Sequence, residues 1–145
     1  IGAVGLNDVY VVPHDNVTPF YITSETEAVR TRLREMKRRF LGNREPEDLS
    51  GKTVIVIDDG IATGATLLAT LAILKKSQPA KIVVATPVIS SSAMEKLSAE
   101  ADEVITLHLP ETFYGVGAFY TDFKQVTDEE VIFYLGKLRE LKKAG

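Results

Sequence analysis

The chain contains no cysteine, and that absence removes disulfides, thiolate metal sites and a cysteine nucleophile in one step. A cysteine-free chain fits the cytosol, so a cytoplasmic location is the expectation. No apolar run approaches the roughly 18 residues that a bilayer-crossing helix needs, so no membrane partner is expected. Histidine is scarce. His14 and His108 lack companions at helical or turn spacing, and neither is nominated as a metal ligand. Strong positive charge is also missing: a net charge of −3 argues against a general nucleic-acid surface. The sequence shows no internal repeat, no low-complexity tract and no signal-peptide pattern. At 145 residues it suits one domain, 1–145, with a single sizeable core. It opens at Ile1-Gly2-Ala3-Val4-Gly5 without Met, as if partway through a strand, and reads as a piece shortened at its N-terminus.

What is present is concentrated in residues 54–66, Val-Ile-Val-Ile-Asp-Asp-Gly-Ile-Ala-Thr-Gly-Ala-Thr. Four β-branched apolar residues, Val54 to Ile57, predict a strand buried on both faces of a parallel sheet. Parallel strands present ligand-binding groups beyond their carboxyl ends, and Asp58 and Asp59 stand there. Adjacent carboxylates accept hydrogen bonds, and a ribose offers two neighbouring hydroxyls as donors. From Gly60 to Thr66 only Ile61 is bulky, so backbone N–H groups can approach an anion closely. A helix starting near Gly64 adds unpaired amides and its positive dipole end, and Thr63 and Thr66 add hydroxyl donors. An Asp after a strand is often a turn former, and Thr-Gly is an ordinary helix entry. Their ordered combination reads instead as a cradle for ribose 5-phosphate.

Around this segment the pattern alternates strand and helix. Val9 to Val12, stopped by Pro13, predicts an edge strand. Ser24 and Glu27 have capping-box spacing for a helix with an apolar stripe of Val29, Leu33, Met36 and Phe40, closed by Gly42. Arg30, Arg34, Lys37 and Arg38 share another face of it, either a solvated face complementing the dipole or a source of phosphate-binding charge. A helix over 64–77 should face the sheet with Leu67, Leu68, Leu71 and Leu74. Strands are predicted at 81–86 and 103–107, separated by a short helix capped by Ser92 and Glu95. Thr127 and Glu130 cap a last helix with the stripe Val131, Tyr134, Leu135, Leu138 and Leu141. Such alternation implies right-handed βαβ units, a mostly parallel central sheet and a three-layer α/β/α fold.

Residues 54–66 resemble the phosphoribosyl-pyrophosphate (PRPP) motif of type I phosphoribosyltransferases. The resemblance implies catalytic roles for Asp58 and Asp59 at the ribose 2′- and 3′-hydroxyls, with Mg2+ held indirectly by these two acids through ribose or water. It implies PRPP or phosphate binding by Gly60, Ile61, Ala62, Thr63, Gly64, Ala65 and Thr66, with Ala62 to Thr66 wrapping the 5′-phosphate. It further implies transfer of ribose 5-phosphate from PRPP to a nucleobase-like acceptor in nucleotide metabolism, and a homodimer. Regulators that bind PRPP or a nucleotide without turnover use the same cradle, and PRPP synthesis by a related fold needs a second domain.

The segment Phe113-Tyr114-Gly115-Val116-Gly117-Ala118-Phe119-Tyr120-Thr121-Asp122-Phe123, with Gln125 and Asp128, is similar to a prokaryotic phosphoribosyltransferase-like group, sometimes fused to a hydrolase. It implies an acceptor-base side made from Phe113, Tyr114, Val116, Phe119, Tyr120 and Asp122; the aromatics equally suit a small core under the last helix. Two departures stand out. Members acting on 6-oxopurines usually carry an acid where this chain has Ala62, and Asp122 is one residue displaced from their pattern. No Gly-rich pyrophosphate loop with a basic residue precedes residue 54, and the resemblance places that loop upstream of Ile1.

Overall fold

The apolar run before the acid pair is a strand, and a computed structural model shows what surrounds it. The structure describes residues 2–7, 9–11, 17–42 and 47–144. Strands β1 (Gly2–Val4) and β2 (Val9–Val11) form an antiparallel hairpin. Helix α1 (Pro19–Leu41) follows, then β3 (Thr53–Ile57), α2 (Ala65–Lys75), β4 (Lys81–Val88), α3 (Ser91–Ser98), β5 (Glu103–His108), a 3₁₀ turn (Val116–Phe119) and α4 (Asp128–Ala144). The three later strands form a parallel sheet in the order β3-β4-β5. This is the α/β architecture with a parallel sheet that the alternation predicts. His14, Val12 and Pro13 lie outside the described residues.

The main cluster of the core sits on one face of that sheet. Val56, Ile82, Val84 and Val104 point to the same side and pack with Leu67 and Leu71 of α2 and Ala93 and Leu97 of α3. Leu71, Val84, Ile89 and Leu97 are fully buried there. The reading of β3 as buried on both faces is corrected. Ile55 is 59% and Ile57 78% exposed, and on β5 Leu107 is 87% exposed. A β-branched run looks the same whether one face or both is covered. Among the described residues β3 is an edge strand whose alternate residues meet helices on one side.

Helix α1 begins five residues before the Ser24 predicted for its cap. Thr18 is the cap, accepting from the Tyr21 N–H, and Pro19 takes the first helical position, where its missing N–H costs nothing. Ser24 instead bonds back to the Tyr21 carbonyl. Gly42 ends the helix in a left-handed conformation, φ +66°, as expected. No described side chain of α1 is buried, and Val29 and Met36 are exposed, so its stripe is only loosely covered. The α4 stripe behaves likewise, with Tyr134, Leu138 and Leu141 exposed. Its capping box forms as read: the Thr127 N–H donates to Glu130 Oε2 at 2.8 Å, and the Glu130 N–H donates to Thr127 Oγ1 at 3.3 Å. Arg39 pairs with Asp128 and Glu129, tying α1 to the start of α4.

Candidate functional site

Strand β3 delivers Asp58 to the carboxyl edge of the sheet, where its N–H donates to the Ala85 carbonyl of β4 at 3.2 Å. Ile61 then dips back into the core, 3% exposed, and bridges Ile89. Its N–H donates to the Val88 carbonyl at 3.0 Å, and its carbonyl accepts from the Ser90 N–H at 3.0 Å. The one bulky residue of the loop is thus its anchor. Ala62 and Thr63 after it stay at the surface.

Gly64 caps α2 with φ +70°, a left-handed conformation that favours glycine. A Cβ there would only touch Ala93, at 3.4 Å, so the backbone angle and not space favours glycine. The first amide of α2 bonded to a carbonyl is that of Leu68, which donates to Gly64 at 2.8 Å. Before it, the Ala65 N–H meets Thr63 Oγ1 at 3.5 Å. An open hollow of about 140 Å³ is lined by Asp58 and residues 60–67. A liquid water occupies roughly 30 Å³, so the space suits a phosphoryl group. Larger clefts lie elsewhere among the described residues. One of about 260 Å³ runs between the hairpin and α1 beside Tyr10 and Tyr21. A polar one of about 390 Å³ lies beside Lys75 and Asp102, at the opposite end of the sheet. Neither is lined by a residue of 54–66.

Burial of Asp58 raises its carboxyl above the ordinary carboxylate range, and the neighbouring Asp59 carboxylate raises it further. Among the described residues no Lys or Arg forms an ion pair with either acid. The pair is therefore not a core salt bridge. No cluster of three or more potential metal ligands occurs among the described residues. Two carboxylates are too few for a protein-built cage. They fit magnesium, which keeps several waters and takes substrate oxygens.

The second segment is brought to the same end of the sheet. The Tyr120 hydroxyl donates to the Asp59 carbonyl at 2.6 Å, and Val116 lies against Gly60. Phe119 packs on Phe113 at 5.4 Å and on His108, the last residue of β5, at 5.5 Å between ring centroids. Tyr114 is 84% exposed, and Asp122 pairs with Lys124 at 2.7 Å. Phe113 and Phe119 form a small aromatic cluster with His108, while Tyr114 projects into solvent.

Ser90 was missed. It, not Ser92, caps α3, accepting from the Ala93 N–H at 3.1 Å while its hydroxyl donates to the Ala62 carbonyl of the loop. A Ser two residues after a buried strand carried the signal.

The phosphoribosyl transferase domain family matches residues 14–124. The chain belongs to that family. A Mycobacterium tuberculosis (strain H37Rv) protein bearing a phosphoribosyl transferase name is 34% identical over 150 residues, covering 99% of this chain and 34% of its own. A ribose-phosphate pyrophosphokinase of Corynebacterium glutamicum is 38% identical over 90 residues, covering 59% of this chain and 28% of its own. The chain thus spans about a third of the length of the curated relatives it matches. Among solved structures, TT1426 from Thermus thermophilus superposes with a TM-score of 0.79 at 37% identity, over 94% of this chain and 66% of TT1426. No helix of the described residues is long and apolar enough to cross a membrane.

Proposed function

We propose that this domain is a phosphoribosyltransferase that moves ribose 5-phosphate from PRPP to a nucleobase-like acceptor and releases pyrophosphate. The observation that carries the reading is the unpaired Asp58–Asp59 couple beside a phosphate-sized hollow at the start of α2. The family match and the mycobacterial relative support the same chemistry. Asp58 and Asp59 accept hydrogen bonds from the ribose hydroxyls. Amides of the 62–66 loop, with the Thr63 and Thr66 hydroxyls, hold the 5′-phosphate. The acceptor lies on the side of Phe113, Tyr114, Val116, Phe119, Tyr120 and Asp122.

In the reaction the bond from ribose C1 to the pyrophosphate oxygen breaks and a bond from C1 to an acceptor nitrogen forms. The bonding pair leaves with pyrophosphate, and the acceptor's proton passes to a base. Positive charge develops on the sugar ring, and the two carboxylates beneath it stabilise that charge. Asp58 and Asp59 would hold magnesium indirectly, through ribose or water, and the ion would supply neutralisation of the charge on pyrophosphate. The domain acts as one unit over 1–145, as a homodimer, on small molecules in nucleotide metabolism.

The similarity to a ribose-phosphate pyrophosphokinase favours a second reading, in which the same cradle serves PRPP synthesis. A regulatory module that binds PRPP without turnover is the alternative to both. Incubation with PRPP, magnesium and a panel of purine and pyrimidine bases, followed by a pyrophosphate assay, tests the proposal. Base-dependent pyrophosphate release is expected. PRPP binding without release under any base would shift the assignment to the regulatory module.

A further inference from the structure

The 113–123 segment crosses the carboxyl end of the central strand from one edge of the sheet to the other. Phe119 anchors it on His108 at the end of β5. Its far side meets the peptide after β3: Tyr120 donates to the Asp59 carbonyl at 2.6 Å. A Cβ added at Gly60 would lie 2.3 Å from Val116 Cγ1, so this turn touches the bare Gly60 backbone. Phe123 packs on the Tyr120 ring at 5.1 Å and limits where the hydroxyl can point. Both ends of the Asp59–Gly60 peptide are therefore gripped from a segment about 60 residues away in sequence.

We propose that Tyr120, with Val116, is a positioning residue for the sugar-binding acids, fixing the Asp59–Gly60 peptide so that Asp59 is presented at the ribose. The inference rests on the assignment of Asp58 and Asp59 to the sugar. Release of that peptide swings the Asp59 carbonyl and the Gly60 amide together and lets the backbone that carries the Asp59 side chain shift. The phosphate loop beyond Ile61 is held separately, by Val88 and Ser90. Loss of the Tyr120 hydroxyl therefore affects sugar recognition and spares phosphate recognition.

Calorimetry with ribose 5-phosphate and with inorganic phosphate tests this on the intact chain. Tyr120→Phe is expected to weaken ribose 5-phosphate about fivefold, the size of one neutral hydrogen bond, and to leave inorganic phosphate unchanged. Gly60→Ala should weaken ribose 5-phosphate, and adding Val116→Ala should restore it by making room for the new methyl. Equal weakening of both ligands, or of neither, overturns the proposal. The Gly60 amide resonance supplies a readout that needs no ligand: it should move in Tyr120→Phe, and an unmoved resonance overturns the proposal. A moved resonance in a protein that binds no ribose 5-phosphate supports the clamp and defeats the sugar assignment instead.

Discussion

Asp58 sits where burial and the Asp59 charge both oppose its ionisation. Its proton is held more tightly in the folded than in the unfolded chain. The favourable contribution is therefore complete below the unfolded value of 3.8 and is lost as pH rises through the raised folded value. Asp58→Asn should accordingly raise the melting temperature at pH 7 and leave it unchanged at pH 3, read by thermal melts at both. A lower melting temperature at pH 7 would mean that the carboxylate stabilises the fold. Gly64 makes the opposite point. Its φ of +70° penalises any side chain, so Gly64→Ala should cost about 1 kcal/mol in denaturant unfolding. Both residues were legible in sequence because an acid after a strand and a glycine before a helix have local causes.

Helix starts with a single local cap candidate were readable, and those where two candidates competed were not. The Thr127–Glu130 box and the helix after Gly64 lie where their residues place them. At the front of α1, Thr18-Pro19 served as cap and first turn, while Ser24 with the right spacing lay inside the helix. At α3 the cap moved from Ser92 to Ser90, which also holds the Ala62 carbonyl. Ser90→Ala removes the cap and leaves that carbonyl unmatched. It should destabilise by about 1–2 kcal/mol in urea unfolding. A change under about 0.3 kcal/mol would show that water replaces both bonds. The hydrogen bond from Tyr120 to Asp59 spans 61 positions, and no sequence spacing reports it.

Across the whole molecule the sheet is asymmetric. One face buries Val84 and Leu71 completely, and the other leaves Ile57 and Leu107 mostly exposed. Apolar composition alone could not separate the two faces, which is why β3 read as fully buried. Leu71→Ala should therefore cost about 2–5 kcal/mol, while Leu107→Ala should stay within about 0.5 kcal/mol, compared by denaturant unfolding of the same chain. Comparable losses would show that the second face is also packed.

The asymmetry leaves the carboxyl end of the sheet as the place where α2, the acid pair and the aromatic segment meet. The most direct test of its assignment is calorimetric titration of PRPP into the chain and into the Asp58→Asn/Asp59→Asn variant. The unaltered protein should bind, and the variant should give no measurable heat of binding. Equal affinity in the two proteins would contradict the account.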